Sequence, residues 1–119
     1  MKASKLIKDK GLQYAKEIVD SAPSNATEWN EGFEFQCGQS VEISKADREK
    51  YFVDLSDLKR LVESLEIIET VGYDRDGAEE IYEFSKEHEW IFYAGLEIKV
   101  TRLAQAIKDH ESIYGGGHV

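Results

Sequence analysis

Two stretches of the chain lie over each other without a gap: Val53-Asp-Leu-Ser-Asp-Leu-Lys-Arg-Leu-Val62 and Ile98-Lys-Val-Thr-Arg-Leu-Ala-Gln-Ala-Ile107. Val53 matches Ile98, Leu55 matches Val100, Leu58 matches Leu103 and Val62 matches Ile107. In each, apolar residues first alternate and then recur at three- and four-residue steps, which is the change from strand to helix period. A hydroxyl residue, Ser56 or Thr101, stands at the change and predicts a helix N-cap. Upstream, Gly11 to Ile18 ends Ala-Lys-Glu-Ile, while Gly72 to Ile81 ends Ala-Glu-Glu-Ile after two inserted residues, and each is followed by a tryptophan, Trp29 or Trp90. The pattern reads as two copies of a helix, hairpin, helix unit, about 4–71 and 72–114, with a flexible tail at 115–119. Each copy has an apolar strand face and helix stripe that the other can cover, so both are expected to share one core in a single compact domain over 1–119. The competing explanation is chance, since any α+β chain can show a capped helix after a strand twice.

The remaining elements fill in an α+β fold of antiparallel strands packed against about four helices. Leu6, Ile7, Leu12, Tyr14, Ala15, Ile18 and Val19 predict a helix over 4–20 capped by Ser4. Gly11 costs that helix roughly 1 kcal/mol relative to alanine, so two helices separated by a break are the alternative. From Trp29 to Ile43 a hairpin is expected, with Phe33, Phe35 and Cys37 on one arm, Val41 and Ile43 on the other, and Gly38-Gln39 between them. Ser44 to Lys50 reads as a charged connection. Tyr51, Val53 and Leu55 alternate before a helix over 56–71 that Gly72 stops. A helix from Asp74 or Asp76 to about His88 should turn Ala78, Ile81, Tyr82 and Phe84 inward. Trp90 to Tyr93 and Leu96 to Val100 are strand-like around an Ala94-Gly95 turn, and a last helix over 101–113 carries Leu103, Ile107 and His110 on one face.

Composition narrows the chemistry. With 119 residues, 41% of them hydrophobic, and one proline, the chain can bury a real core. No run approaches the roughly 20 apolar residues of a membrane span, and charge interrupts Met-Lys-Ala-Ser-Lys-Leu-Ile-Lys at the start, so a cytoplasmic protein is expected. The lone Cys37 excludes an internal disulfide and a multi-cysteine zinc site. His88, His110 and His118 form no local constellation with it, and Cys37 reads as a small thiol on a strand. Asp74-Arg-Asp-Gly77 resembles the opening of a calcium loop, but its glycine comes at position 4 rather than 6, and acids at a helix start are the better reading. Gly115 to Gly117 precede no helix, so they make no phosphate loop. No catalytic residue, metal or cofactor is expected, and the chain is not expected to be an enzyme.

What stands out is charge. Against 15 Lys and Arg the chain carries 24 Asp and Glu, a net charge of -9, which repels nucleic acid. Residues 54–89 hold twelve of the acids and four of the bases, while residues 1–16 run basic. Glu79, Glu80, Glu83 and Glu87 fall at helical spacings, where like charges repel by a few tenths of a kcal/mol per pair. Such a field can steer docking onto a basic surface, or it can simply keep a small protein soluble. Trp29, Trp90, Phe92, Tyr93, Tyr73 and Tyr114 exceed what a small core obviously needs, making Trp90 and Tyr93 candidates for an interface. Leu96, Val100, Leu103 and Ile107 have heptad-like spacing that could pair two chains as a homodimer, though a stripe of this length more often faces its own core.

Three blocks carry a family resemblance: Val53-Asp-Leu-Ser-Asp-Leu-Lys-Arg-Leu-Val-Glu-Ser64, Gly-Leu-Gln-Tyr-Ala-Lys-Glu-Ile-Val-Asp-Ser-Ala-Pro23 and Glu-Ser-Ile-Tyr-Gly-Gly-Gly117. They resemble small accessory proteins encoded in the early regions of lambdoid phages and prophages of enterobacteria. The resemblance implies a gene dispensable for building the virion, of the sort that often interferes with a host protein, and it implies no reaction. Three readings follow: an accessory protein that binds and modulates a host protein through Glu79, Glu80, Glu83, Glu87, Trp90 and Tyr93; a nucleic-acid mimic that blocks a host defence or DNA- or RNA-binding factor; and a small enzyme whose site only the fold assembles.

Overall fold

A computed structural model of the chain describes residues 2–30, 34–36, 51–93 and 95–114. They form an α+β fold of two small antiparallel sheets and five helices, and the chain divides into two compact units, Met1–Val62 and Glu63–Val119. No helix among the described residues is long and apolar enough to cross a membrane.

The first unit opens with α1 (Ala3–Lys10) and α2 (Leu12–Ser21), so the break at Gly11 is real. Gly11 takes φ 96°, a conformation that side-chain-bearing residues avoid, and its N–H closes α1 on the Ile7 carbonyl at 2.8 Å. Ser4 is not the cap. The helix begins at Ala3 behind Lys2, because Ala3, Leu6 and Ile7 form one buried face that draws the start upstream. Three strands follow, β1 (Glu28–Asn30), β2 (Glu34–Gln36) and β3 (Phe52–Asp54), in the order β2-β1-β3 with both neighbours antiparallel. Trp29 is fully buried opposite Phe35 and Val53, and Tyr14 meets its ring edge-on at 6.3 Å.

The hairpin therefore differs from the expectation. Phe35 already lies on the return strand, opposite Trp29, so the chain reverses before Gly38-Gln39. Phe33, Cys37, Gly38, Gln39, Val41, Ile43 and the 44–50 connection lie outside the described residues. In β3, Phe52 and Val53 are both buried and Tyr51 is exposed, so the alternation of Tyr51 with Val53 does not hold. Helix α3 (Leu55–Gly72) starts one residue before Ser56, and Asp54 Oδ1 accepts from the Asp57 N–H at 3.1 Å. Asp54, the residue directly before the helix, takes the capping role assigned to Ser56.

The division between units falls within α3. The second unit continues with α4 (Arg75–Ser85), β4 (Trp90–Tyr93), β5 (Leu96–Lys99) and α5 (Val100–Tyr114). Its core gathers Ile68 and Val71 of α3, Ala78 of α4, Ile91 and Ile98 of the hairpin, and Val100, Leu103, Ala106 and Ile107 of α5. Val100, Leu103 and Ile107, the heptad-like series, thus face their own core, with Leu96 packed against it. The turn between β4 and β5 uses Gly95 at φ 81°. Thr101 is exposed inside the first turn of α5 rather than capping it. Gly72 ends α3 but is not the left-handed residue. That conformation falls on exposed Tyr73 at φ 67°, while Gly72 and Gly77 bring two backbones together so tightly that a Cβ on either would sit well inside 3.0 Å of the other's main chain. On α4, Ala78 is buried and Ile81 and Tyr82 pack against the core, but Phe84 is exposed. It falls about a third of a turn away from the face they define.

Val53, Leu55, Leu58, Leu61 and Val62 are buried, as are Ile98, Val100, Leu103, Ala106 and Ile107. The first N–H of α3, from Leu55, bonds to the Thr27 carbonyl just before β1 at 2.9 Å, and that of α5, from Val100, bonds to the Glu89 carbonyl just before β4 at 3.0 Å. Opposite Val53 stands Trp29, and opposite Ile98 stands Ile91. Ile91 is buried, and Trp90, the tryptophan matched to Trp29 in the sequence, is exposed on the other face of β4.

Candidate functional site

Helix α4 begins with a well-formed cap: Asp74 Oδ1 accepts from the Gly77 N–H at 2.8 Å. This places the carboxylate at the positive end of the helix dipole, and the Asp74-to-Gly77 motif is a helix start. Of the four candidate glutamates, two are engaged within the second unit. Glu79 is half-buried and pairs with Arg75 at 3.0 Å, and the same guanidinium bonds to Glu111 of α5. Glu83 receives the Lys86 ammonium on both oxygens at 3.2 Å. Glu80 and Glu87 are exposed and have no ion pair among the described residues. The helix stops at Ser85, where the His88 N–H bonds to the Ser85 carbonyl at 2.8 Å, so Glu87 lies past the helix and leaves the expected row. The outward stripe of α4 is instead Asp76, Glu80, Glu83 and Phe84, at i, i+4, i+7 and i+8.

The hairpin supplies a second surface. Alternation along β4 puts Ile91 on the core face and Trp90 and Phe92 on the outward one, the latter 40% and 73% exposed. Opposite them on β5 stand Lys99 and Glu97, and the Lys99 ammonium lies 5.5 Å from the centre of the Trp90 ring. Tyr93, 37% exposed, sits at the turn end opposite Leu96. Phe92 belongs to the aromatic excess read from the sequence without being chosen as an interface candidate, and Phe84, expected inward, is exposed. Their signal was available in part: Phe92 is two residues from Trp90 on a strand that begins with it.

A buried polar cluster joins α3 to α5 within the second unit. Asp109, 3% exposed, accepts from the Ser64 hydroxyl at 2.6 Å on Oδ2 and from the Gln105 amide at 3.0 Å on Oδ1. Arg102 donates to the Ser64 hydroxyl at 3.0 Å, and Ser112 bonds to the Asp109 carbonyl at 2.7 Å. Arg102, Gln105 and Asp109 recur at helical spacing, which is the sequence signal for a polar seam in an otherwise apolar helix face. The Ser64 hydroxyl is held between a carboxylate and a guanidinium, and both Ser64 and Asp109 are removed from solvent.

Two further features bear on chemistry. His110 is half-buried beside Tyr114, ring centres 4.8 Å apart, and its pKa is lowered by that burial first and by Arg75 second, against the opposing pull of Glu111 and Asp74. In the first unit an open cleft of about 230 Å³ is lined by Val19, Ala22, Pro23, Ser24, Ala26, Leu55, Ser56 and Lys59. Its polar side chains are those of Ser24, Ser56 and Lys59. Among the described residues no three His, Cys, Asp or Glu converge as metal ligands. No family model, curated protein or solved structure matches the chain.

Proposed function

We propose that the chain is a non-enzymatic accessory protein of the phage or prophage type, working in the host cytoplasm, where it binds and modulates a host protein with a basic surface through the acidic and aromatic face of its second unit. The observation that carries this reading is the outward pair Trp90 and Phe92, two large rings left in solvent on one face of a four-residue strand. Exposed aromatic pairs of this kind supply most of the binding energy where proteins dock. The unit that presents them has thirteen acids against five bases. Rings provide affinity, and Glu80 and Glu87 with the surrounding field provide steering. Nucleic-acid mimicry is the weaker reading, because Arg75 and Lys86 neutralise Glu79 and Glu83 and interrupt the regular row of carboxylates that imitation of a phosphate backbone needs.

The two units are, on this reading, a duplicated helix, hairpin, helix module. The matched burial and the paired Leu55 and Val100 hydrogen bonds support that view. The functional test is capture of a host partner by the chain and by a Trp90→Ala, Phe92→Ala double variant, with folding checked by circular dichroism. Both side chains are exposed, so the variant should fold while losing at least tenfold in capture. Added salt should weaken the wild-type complex only moderately, whereas mimicry demands a steep loss. Undiminished capture by the folded variant overturns the proposal.

A further inference from the structure

The two hairpins differ in one respect that the sequence match does not foreshadow. In the first unit β1 has a strand on each side, β3 on one edge and β2 on the other. In the second unit β4 has β5 on the equivalent of the β3 side, and among the described residues no strand is bonded to its other edge. The junctions that define this equivalence are the Val53–Trp29 and Ile98–Ile91 registers and the Leu55 and Val100 N–H bonds. From this we infer that the outer edge of β4 is the seat for an antiparallel strand donated by a partner protein, an extended segment with the alternation basic, apolar, basic. The inference rests on the protein-binding reading of the second unit and specifies what that surface takes.

The chain itself supplies the template. On β1 the added strand sets Phe35 opposite Trp29, toward the interior. The equivalent position on β4 is Ile91, 6% exposed, so the middle residue of the incoming strand is apolar and completes the same layer. Its two neighbours fall beside Trp90 and Phe92 on the outward face. That face already holds a cation, since Lys99 lies over the Trp90 ring, and exposed Glu97 stands on it opposite Phe92. Arginine or lysine stems would cover the rings while a charged end reaches the Glu97 carboxylate. Main-chain bonds to the edge give affinity whatever the sequence, and the alternation gives register and choice of partner. A second copy of this chain is the poorer occupant, because it would bring together two units that each carry thirteen acids against five bases.

The probe is a capped heptapeptide, Gly-Thr-Arg-Val-Arg-Thr-Gly, titrated calorimetrically into the full chain, with hydrogen exchange of the β4 amides followed by NMR. The comparison peptide is the scramble Gly-Arg-Arg-Val-Thr-Thr-Gly, equal in charge but with its arginines on opposite faces. The alternating peptide should bind at least tenfold more tightly than the scramble, slow exchange within 90–93, and lose about tenfold against the Phe92→Ala chain. If both peptides bind alike and the β4 amides stay unprotected, strand addition is wrong and the acidic, aromatic docking reading stands. If neither peptide binds at millimolar concentration while the chain still captures its host partner, strand addition alone again falls. Should sedimentation show a concentration-dependent dimer that protects β4 without peptide, the edge belongs to a second copy and the inference is overturned.

Discussion

Replacing Ser64 by alanine removes a hydroxyl that donates to a buried carboxylate and accepts from the Arg102 guanidinium. The hydroxyl donates to Asp109 Oδ2 at 2.6 Å, a short charge-assisted bond, and Asp109 is almost wholly removed from water. Its other oxygen keeps Gln105. Loss of a hydrogen bond to a charged group costs about 1.5–3 kcal/mol, so about 2 kcal/mol is expected. For 119 residues unfolding together, an entropy near 2.1 cal/mol/K per residue makes the total about 250 cal/mol/K, and the melting temperature should fall by about 8 °C. Calorimetric melting of the purified variant measures this. A second arm adds Asp109→Leu to Ser64→Ala, which takes away the buried carboxylate while half-buried Arg102 and exposed Gln105 turn to water, and the double variant should be more stable than Ser64→Ala alone by about 1 kcal/mol or more. A Ser64→Ala variant within about 0.5 kcal/mol of wild type, or a double variant less stable than the single, refutes the argument.

Gly77→Ala forces a Cβ onto the Gly72 carbonyl and should cost about 3 kcal/mol or more in denaturant unfolding, whereas a loss under 1 kcal/mol means the two backbones are not held that close. Tyr73→Gly relieves a left-handed conformation at an exposed side chain and should raise stability by about 1 kcal/mol, or about 4 °C in thermal melting; a decrease shows that the ring contributes more than the backbone loses. His110 has its folded pKa below the usual 6.5, so the unfolded chain takes up its proton first. Its contribution is complete above pH 6.5 and is lost as pH falls from there through the lowered value. Comparing wild type with His110→Gln in urea between about pH 7.5 and 5 should show the steeper acid loss in wild type, and parallel profiles would remove His110 from the pH dependence.

The elements were legible where period and punctuation agreed. Ala78, Ile81 and Tyr82 mark the inward face of α4, and Trp90 to Tyr93 with Gly95 and Leu96 mark a hairpin whose turn and strands fall where expected. Caps were misplaced by two residues each time, at Ser4, Ser56 and Thr101, because the strand or core contact that sets a helix start is not local. Phe84 illustrates the limit of composition: an aromatic on a helix was counted inward although helical geometry puts it off the face. For the site, the candidate glutamates were readable as a charged helix, but their partners were not. Arg75 reaches Glu111 across thirty-six residues, and Asp109 reaches Ser64 across forty-five. Only folding brings such groups together. The three-stranded first sheet was hidden because Phe35 reads equally well on either arm of a hairpin.

The two tryptophans make the molecule optically divisible. Trp29 is sealed in the first unit against the edge of Tyr14, and Trp90 stands in solvent on the second beneath an ammonium group. Selective excitation of indole therefore reports two unlike environments, one blue-shifted and shielded from iodide or acrylamide, the other red-shifted and open to both. Quencher titration separates the emissions without any label. A Trp90→Phe chain leaves a probe for the first unit alone, and Trp29→Phe leaves one for the second, so the melting of each half can be followed independently of the other in the same tube.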